Sequence, residues 1–498
     1  MKKKWFLVLL CIMLLPISPV HAYDVPSAVR VGLKYASTAV EEIEILSEQG
    51  FSVGYYDDRQ FISLGMIGAQ SVTVLKLSGD VSLSNAFGSY DEARASSETG
   101  FVLYKDGQYY IIDYVEREGW ARYTLPATTV GLKANGNLAY ASDSVPLGLI
   151  NQSGGFLTIG GKVYRGGAEI RRQSDSDMTV INVVPLNEYL YGVVPGEMPA
   201  YFEMEALKVQ AICARNYTLI NLDKYGQYGF DVTDNTSSQM YIGVSGENER
   251  TNAAVDETAS KVLLYEGALA QTYYSSMSGG TTENVKNVWG SEIPYLCGVD
   301  DPYENADSIQ GGTWVVELTP QQIKEDLASW GIDVGDILTV RVTEYSDAGG
   351  VVKLLVTGTN GEHTFEREAT RNIFGFRSQK YTIDGAPSTT PDEPQQQEVE
   401  PTDRYPNSLV AKQAKSFLTL RELFLKPSLI GKEVVITETK PPQTIEGGPN
   451  ENGVFVFRGR GYGHGLGMSQ WGAQGMAQAG FSYADILTHY FPGTYLQE

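Results

Sequence analysis

Glu197 is the residue whose surroundings most favour acid–base chemistry. It lies between a glycine and a Met-Pro pair, just ahead of a predicted helix. The flanking glycine and proline restrict the shape of this turn, so it can hold one carboxylate in a fixed direction. A helix N-terminus favours the charged carboxylate, whereas a general acid must be protonated. Helix capping or simple solvation is the alternative role, and catalysis requires burial among Tyr191, Met198 and Phe202 to outweigh the helix dipole.

The residues after Pro199 show a helical pattern with two cations on one face. Apolar and small residues recur at steps of three and four from Met204 to Thr218. Lys208 and Arg215 are seven residues apart and share another face of this helix. Solvated charge is one interpretation of that face, but the adjoining positions are almost all small or apolar. Buried on most sides, the two cations need acidic partners or an anionic ligand, and we favour a role in function.

A glycine-rich block near the C-terminus contains a histidine that stands apart from other side chains. Seven glycines lie between Gly459 and Gly475, which permits a backbone that approaches a ligand closely. The block lacks the lysine of a phosphate-binding loop, so the Gly-x-Gly pattern does not indicate a nucleotide site. His464 lies between two glycines, and no adjacent side chain can bury it. We expect His464 to form a hydrogen bond with substrate.

Several ordered segments together resemble one protein family. Pro195–Pro199, followed by Ala206–Tyr217, resembles the core motif of the SpoIID/LytB family. Further blocks follow in the order of that family, at residues 236–243, 274–284, 294–296, 370–378 and 459–477. The resemblance spans about residues 165–385 and 453–498, more than half of the chain that follows the first 22 residues.

The resemblance implies a role in the bacterial cell wall. Some members cleave the glycan strands of peptidoglycan, and others enhance an N-acetylmuramoyl-L-alanine amidase. In the lytic members the glutamate of the Glu-Met-Pro motif is the catalytic acid, and this position is Glu197. The region at residues 274–276 and 279–281 is then either a simple polar turn or a site wall that donates hydroxyls to sugar N-acetyl groups. The candidate substrate-binding residues are Lys208, Gln210, Arg215, Gln239, Tyr241, Ser275, Ser276, Gly280, Thr281, His464 and Gln470.

One departure from the family concerns metal. Sporulation members can carry a Cys/His zinc cluster just after the first helix of the motif. Here residues 231–240 contain no cysteine and no histidine, and these are the ligands that zinc prefers. The sequence therefore predicts no metal and no cofactor. The difference also weakens the inference that this chain is the sporulation enzyme rather than a wall-remodelling relative.

Composition narrows the partners and the redox chemistry. The chain has 498 residues, with 38 Lys and Arg against 60 Asp and Glu, for a net charge of −22. Nucleic-acid binding is not expected, because the chain has no excess of cations to displace counterions from phosphates. A local basic groove can still bind a polyanion. Cys213 and Cys297 remain after the first 22 residues, either as one disulfide or, the interpretation we favour, as two small buried apolar residues.

Short patterns predict three local features: hairpin turns at Asp106-Gly107 and at Gly160-Gly161, and a capping box at residues 482–485 that opens a last helix.

The order of motifs predicts an α+β protein with a SpoIID-like mixed domain behind a β-rich accessory domain. A basic start and an apolar run indicate an export signal. The Pro-, Thr- and Glu-rich stretch near residue 390 indicates a disordered linker. The predicted parts are a signal peptide at 1–22, a β-rich accessory domain and candidate wall-binding unit at 23–150, a catalytic domain at 165–385, a linker at 386–402, an insertion at 403–452 and the glycine-rich part of the catalytic domain at 453–498.

Two functions follow from these observations. The first is an exported peptidoglycan lytic transglycosylase that is secreted or associated with the cell wall, outside the cytoplasmic membrane. The second is a non-catalytic wall-binding protein that enhances a cell-wall amidase. Peptidoglycan glycan strands are the expected partner in both cases, and membrane attachment is expected only if the signal peptide stays uncleaved. Release of anhydro-muropeptides from cell walls by the purified chain separates the two.

Overall fold

The elements around Glu197 come from two stretches of chain that a long segment separates. The computed structural model describes residues 25–96, 99–173, 176–384 and 447–497. The predicted signal peptide, the predicted linker and most of the predicted insertion lie outside the described residues. Helices and several sheets are mixed in the described chain, so the predicted α+β class is confirmed.

The first half of the described chain is mainly β-structure. The helix α1 (Tyr90–Ser96) lies among these strands. The strands are β1 (Val29–Lys34), β2 (Glu42–Leu46), β3 (Phe51–Asp57), β4 (Gln60–Ile67), β5 (Ser71–Lys76), β6 (Gly79–Leu83), β7 (Phe101–Lys105), β8 (Gln108–Asp113), β9 (Ala121–Leu125), β10 (Val130–Ala134), β11 (Asn137–Ser142), β12 (Leu147–Asn151), β13 (Leu157–Ile159), β14 (Lys162–Tyr164), β15 (Gly167–Arg172) and β16 (Met178–Val184).

The second half supplies most of the helices. They are α2 (Leu186–Glu197), α3 (Met204–Ile220), α4 (Glu249–Asp256), α5 (Val285–Trp289), α6 (Pro320–Ser329), α7 (Ala369–Asn372), α8 (Gln470–Gln478) and α9 (Tyr483–Tyr490). The strands among them are β17 (Val232–Thr233), β18 (Val262–Tyr265), β19 (Ala268–Leu269), β20 (Tyr274–Ser275), β21 (Thr313–Leu318), β22 (Ile337–Tyr345), β23 (Val351–Gly358), β24 (Gly361–Glu366), β25 (Tyr381–Ile383), β26 (Phe455–Arg460), β27 (Met468–Ser469) and β28 (Tyr495–Gln497).

Two large sheets organise the strands of the first half. One has the order β17-β1-β16-β15-β12-β3-β4 and the other the order β14-β13-β2-β5-β10-β11-β7-β8-β6-β9. Alternation along the strands places apolar residues inside, as in β2, where Ile43 and Ile45 are buried between exposed glutamates. The first sheet joins strands from both sides of residue 150, and the domain boundaries given above stay predictions.

Two hairpins form where the sequence predicts them. β7 and β8 are joined at Asp106-Gly107, and β13 and β14 at Gly160-Gly161. The two residues of each turn have positive φ, 50° and 80° in the first and 56° and 85° in the second. Two-residue turns of this type match the twist of antiparallel strands and favour Asp-Gly and Gly-Gly. Both predicted hairpins are confirmed.

Helix α3 is the buried centre of the second half. It begins at Met204, as its apolar pattern predicts, and most of its residues are buried. Asn216 fixes it to β18, because its side-chain amide donates to the carbonyls of Leu263 and Ala270 and accepts the Leu263 N–H. The sequence also predicts a capping box at the start of α9, and Ser482 and Asp485 form it.

Strands β21 to β26 and helix α6 enclose a separate core. Two three-stranded sheets, with the orders β21-β26-β25 and β22-β23-β24, pack around Phe365, Phe374 and Phe457. Because β26 pairs with both β21 and β25, residues on the far side of the segment 385–446 complete this core. The C-terminal stretch is therefore tied to the middle of the chain before it reaches the glycine-rich block.

The two cysteines differ from the favoured interpretation. Cys213 is buried in α3, as expected, but Cys297 is exposed, and both are free thiols. The prediction of two buried residues is therefore wrong for Cys297, which lies in a loop between α5 and β21. Among the described residues, no helix is both long enough and apolar enough to cross a membrane.

Asp231 ties the first sheet to the chain that follows α3. Its carboxylate accepts the backbone N–H of Arg30 in β1 and of Asp223, at 2.8 and 2.9 Å. The guanidinium of Arg59, in the β3–β4 turn, donates to both of its oxygens. Burial acts to raise the pKa of Asp231, but Arg59 and the two backbone N–H groups outweigh it and hold the pKa below its usual value.

We predict that Asp231→Asn lowers the free energy of unfolding by about 3 kcal/mol, because it leaves the Arg59 guanidinium without its buried charge partner. Since the folded pKa of Asp231 lies below the unfolded one, this stabilisation is present above the unfolded pKa and is lost as pH falls through the folded pKa. Urea denaturation at pH 7 measures the effect. Asp384→Asn breaks the exposed pair with Arg458 and should change stability by less than about 1 kcal/mol. Equal losses in both variants would contradict the prediction.

Candidate functional site

Glu197 is the last residue of helix α2, and this corrects the expected position. The sequence predicts a turn just ahead of the next helix, but α2 continues through Pro195 and ends at Glu197, while α3 begins only at Met204. The missing N–H of proline removes one helical hydrogen bond, and the Met198 N–H still donates to the Val194 carbonyl. Glu197 therefore lies at the negative end of a helix dipole, and the expected conflict with a positive helix N-terminus does not arise.

The loop that contains Met240 holds the Glu197 carboxylate. Glu197 is 8% exposed, and its Oε1 accepts the backbone N–H of Met240 at 2.7 Å. This loop lies directly against the last turn of α2. A Cβ atom at Gly196 would come within 2.4 Å of the Met240 carbonyl oxygen. The glycine before the glutamate is therefore required by the close approach of the loop that fixes the carboxylate.

Three tyrosines lie within electrostatic reach of Glu197. Burial raises the pKa of Tyr217 to about 12 and raises the pKa values of Tyr189 and Tyr274 well above their usual value, and the charge of Glu197 adds to each of these shifts. The three hydroxyls therefore stay protonated at neutral pH and can act as hydrogen-bond donors. The sequence analysis missed this shell, because its members lie on α2, α3 and β20 and share no motif.

Gln239 is a buried connector in this shell. Its Oε1 accepts hydrogen bonds from Tyr189 and Thr218, at 3.2 and 2.9 Å, and its Nε2 donates to the hydroxyl of Tyr274 and the carbonyl of Ala214. Both the oxygen and the nitrogen of this amide therefore have hydrogen-bond partners within the protein, and the residue has no exposed surface. The geometry thus favours positioning of the adjacent Met240 over direct contact with substrate.

The two cations of α3 lie away from Glu197. Lys208 forms ion pairs with Glu205 and Glu257, at 2.9 and 2.8 Å. Arg215 is 1% exposed and donates to the carbonyls of Val255 and Lys261, and burial lowers its pKa to about 10. The sequence predicts acidic partners or an anionic ligand for both cations. Lys208 has acidic partners, whereas Arg215 donates to backbone carbonyls instead. Tyr217 is two residues beyond Arg215, about 200° around the helix, so it faces the other way, toward Glu197.

Three further candidates are buried inside the fold. The Tyr241 hydroxyl donates to Asn182, and the ring packs against Tyr189. Gln470, the first residue of α8, donates to Gln210 of α3 at 3.1 Å, and both side chains are enclosed. These contacts join the helices around the site. They give the three side chains structural partners rather than an open binding surface.

Glu304 organises the serine-rich turn predicted at residues 274–281. Its carboxylate accepts the backbone N–H groups of Ser278 and Gly279 and the hydroxyl of Ser469. Several polar groups of the predicted residues in this turn are buried or form hydrogen bonds within the protein. Ser275 and Ser276 are buried, the Gly280 carbonyl accepts the N–H of Asp301, and the Thr281 carbonyl accepts a hydrogen bond from Lys380.

His464 lies in an aromatic group beside this turn. Its Nδ1 accepts the N–H of Leu466 at 2.9 Å, so the neutral imidazole carries its proton on Nε2. A Cβ at Gly463 would approach the Cβ of Ser275 to 2.6 Å, which explains why a glycine precedes the histidine. The ring lies near Tyr273 and Trp289, with centroid separations of 6.4 and 5.3 Å.

The structure thus brings some predicted residues together and separates others. Gln239 and the strand that contains Ser275 meet around Glu197 through Tyr274. A Cys/His zinc site does not fit residues 231–240, because they contain no cysteine or histidine, and the carboxylate of Asp231 is bonded to Arg59. Across residues 25–96, 99–173, 176–384 and 447–497, no three His, Cys, Asp or Glu side chains converge as a metal site.

A second group of buried charges supports the serine-rich turn. Asp301 accepts the hydroxyls of Ser278 and Tyr490, both at 3.0 Å. Burial, with the nearby charge of Glu304, raises its pKa to about 6. Burial lowers the pKa of Lys380 to about 8, against the effect of these carboxylates. The sequence analysis gave no role to any member of this group, because none belongs to a motif block.

We predict that Asp301→Asn flattens the pH dependence of stability. The folded pKa of about 6 exceeds the unfolded value of 3.8, so the contribution of Asp301 is complete below the unfolded pKa and is lost as pH rises through 6. The loss is on the order of 2–3 kcal/mol by pH 7. Melting temperatures from pH 4 to pH 7 measure it, with the exposed Asp307→Asn as the control. An unchanged slope in Asp301→Asn would contradict the assignment.

Comparison with known proteins agrees with the motifs. The family model described as SpoIID, stage II sporulation protein, matches residues 174–265, which include α2, α3 and the Met240 loop. An uncharacterised protein of Brachyspira hyodysenteriae is 30% identical over 365 residues, covering 73% of this chain and 79% of its own length. The amidase enhancer of Bacillus subtilis is 33% identical over 310 residues, which cover 62% of this chain and 40% of that protein. Stage II sporulation protein D of Bacillus amyloliquefaciens is 27% identical over 330 residues, covering 63% of this chain and 75% of that protein. The chain belongs to the SpoIID/LytB family.

Proposed function

We propose that this protein is an exported peptidoglycan lytic transglycosylase in which Glu197 is both the catalytic acid and the catalytic base. The observation that carries the proposal is the placement of one enclosed carboxylate, held by the Met240 N–H, among three tyrosine hydroxyls. A fixed direction and a restricted exposure are the properties that general acid–base catalysis requires. The likeness of this chain to stage II sporulation protein D supports the same role.

The proposed reaction needs only one carboxylate. The protonated Glu197 gives its proton to the glycosidic oxygen between N-acetylmuramic acid and N-acetylglucosamine, and the C1–O bond breaks. The carboxylate then takes the proton of the muramoyl 6-hydroxyl, whose oxygen bonds to C1 and closes the 1,6-anhydro ring. Because the nucleophile belongs to the substrate, the second carboxylate of a hydrolase is unnecessary, and the reaction gains the rate advantage of an intramolecular step.

The surroundings of Glu197 support this double role. The Met240 N–H stabilises the charged carboxylate, whereas burial and the negative end of α2 oppose the charge. Tyrosine hydroxyls near the carboxylate can donate to a sugar oxygen without losing their own protons. We propose that the turn at residues 275–281 and the His464 loop form the walls of the glycan site, while Lys208 and Arg215 stabilise α3.

The proposed setting is the cell wall outside the cytoplasmic membrane. Export rests on the signal peptide predicted at residues 1–22. Peptidoglycan glycan strands are the proposed partner, and a cell-wall amidase is a second proposed partner. We do not expect a nucleic-acid partner, because the chain carries a net charge of −22.

The second candidate function is enhancement of an amidase without catalysis. The observation that favours it is the 33% identity to the Bacillus subtilis amidase enhancer. In this case the same glycan site holds a strand while a partner N-acetylmuramoyl-L-alanine amidase removes the stem peptides. Purified residues 23–498 would then bind cell walls and accelerate the amidase, but release no anhydro-muropeptides by themselves.

We predict that Glu197→Gln lowers the release of anhydro-muropeptides from purified cell walls by about a hundredfold or more, because glutamine cannot transfer a proton. The melting temperature and the binding of glycan strands should change little. Product analysis by liquid chromatography with mass detection measures the release. Glu203→Gln is the matched control, since Glu203 is exposed just ahead of α3.

The outcomes of this experiment separate the alternatives. Parent-like cleavage by Glu197→Gln would place the catalytic acid elsewhere. A parent protein that releases no anhydro product but accelerates an amidase would favour the enhancer. Loss of activity in Glu203→Gln alone would show that the assignment of the carboxylate to Glu197 is wrong.

We also predict that cleavage survives chelation, because residues 231–240 offer no cysteine or histidine ligands. The rate of anhydro-muropeptide release should be the same, within error, before and after treatment with EDTA. The melting temperature, measured in the same samples, controls for effects on folding. A loss of activity that zinc alone restores would refute the prediction.

A further inference from the structure

Trp289 is a partly exposed tryptophan within the aromatic group around His464. Its indole ring is 4.6 Å from the ring of Tyr273 at an interplanar angle of 83°, and 5.3 Å from the His464 imidazole at 57°. The side chain is 40% exposed, whereas the surrounding residues Val285 and Val288 are buried. An exposed aromatic ring of this size, packed edge-to-face on a second ring, is typical of a binding surface.

The short helix α5 presents Trp289 rigidly. Asn284 caps the start of the helix by accepting the Lys286 N–H, and Gly290 ends it in a left-handed conformation with φ of 82°. The indole Nε1 donates to Glu368 at 3.0 Å, and the Glu368 N–H donates to the Val288 carbonyl. These bonds hold one edge of the indole while part of the ring stays open to solvent. A ligand that stacks on it therefore loses little affinity to the ordering of the side chain.

Trp289 is connected to the Glu197 site through two tyrosines. Tyr217 is within electrostatic reach of Glu197 and also of Tyr273, and Tyr273 carries the ring against which Trp289 packs. Tyr273 directly precedes the strand β20, whose Tyr274 belongs to the shell around Glu197. The indole is therefore the third aromatic ring out from the carboxylate, after Tyr217 and Tyr273.

We propose that Trp289, supported by Tyr273 and His464, is a stacking platform for an N-acetylhexosamine unit of the strand that Glu197 cleaves. This inference rests on the proposed function. The flat faces of pyranose rings carry C–H groups that pack on an aromatic surface, while their hydroxyls need polar partners at the edge of the ring. The imidazole of His464, whose Nδ1 accepts the Leu466 N–H, places a polar ring beside the platform.

The test measures binding separately from cleavage. N-acetylchitotetraose serves as the probe, and Glu197→Gln serves as the background, so that no turnover interferes. In that background Trp289→Ala should weaken binding by about fivefold to tenfold, as loss of a stacking residue does, and Trp289→Phe should retain most of the affinity. In the chain with Glu197, the same Trp289→Ala change should raise KM for glycan strands with little change in kcat.

Trp330→Ala is the matched control. Trp330 is 49% exposed and packs edge-to-face on Phe365 at 6.3 Å, in the separate core of β21 to β26. The Trp330→Ala substitution should leave the binding of N-acetylchitotetraose unchanged. Melting temperatures report on folding, and Trp289→Phe keeps the test valid if Trp289→Ala destabilises α5.

Each outcome addresses one proposal. Parent-like probe binding by Trp289→Ala, or an equal loss in Trp330→Ala, would overturn the platform while leaving catalysis by Glu197 intact. Binding that depends on Trp289 in a protein that cleaves no glycan would support the platform and refute the transglycosylase. A fall in kcat alone, with unchanged KM and unchanged probe binding, would also overturn the platform.

Discussion

The buried carboxylate of Glu304 is the group on which the geometry of the serine-rich turn and of the glycine-rich block depends. It accepts two backbone N–H groups, from Ser278 and Gly279, and the hydroxyl that caps α8, from Ser469. Hydrogen bonds to a charged group contribute about 1.5–3 kcal/mol each when they are buried. The three donors come from two segments about 190 residues apart in the chain, and the short parallel pairing of β20 with β27 also joins these segments. This carboxylate therefore joins the serine-rich turn directly to the start of α8.

The Glu197 carboxylate is positioned by a small number of uncharged groups. Backbone and neutral side chains position the catalytic candidate: the Met240 N–H holds one oxygen, and the Gln239 amide fixes the loop through bonds to α3 and the strand β20. The cations that the sequence places nearby are used elsewhere, in ion pairs and bonds to carbonyls. Lys208 and Arg215 therefore stabilise α3 and its neighbours, while the backbone N–H of Met240 fixes the direction of the Glu197 carboxylate.

Local patterns predicted the elements that depend on neighbours in sequence. The hairpin turns at residues 106–107 and 160–161, helix α3 and the capping box at Ser482 all follow from residue types a few positions apart. The motif blocks also gave the correct family. The end of α2 was not predicted, because a Pro-Gly pair is typical of turns, whereas here it is part of the last turn of a helix.

What the sequence could not reveal depends on partners far along the chain. The roles of Arg215, Gln210 and Tyr241 are set by contacts with residues 40 to 260 positions away, which no local pattern encodes. The tyrosines around Glu197 and the Glu304 network were missed for the same reason. Whether such a residue is buried depends on the completed fold. A polar residue in a motif can therefore join two parts of the protein as readily as it can bind a substrate.

The late position of the last strands has a consequence for how the protein is made. Residues 455–497 provide the middle strand of one small sheet, the partner of β20 and, in β28, the partner of β18. During synthesis from the amino terminus, all strands of the two large sheets except β17 are present once residue 184 has been added. Helix α3, in contrast, waits for the arrival of α8 and α9, which cover it. Contacts of such long range form slowly and leave apolar surface open to aggregation in the meantime. Vectorial synthesis therefore imposes a vulnerable interval on the very helix that carries Tyr217, and this interval ends only after α8 and α9 have been synthesised.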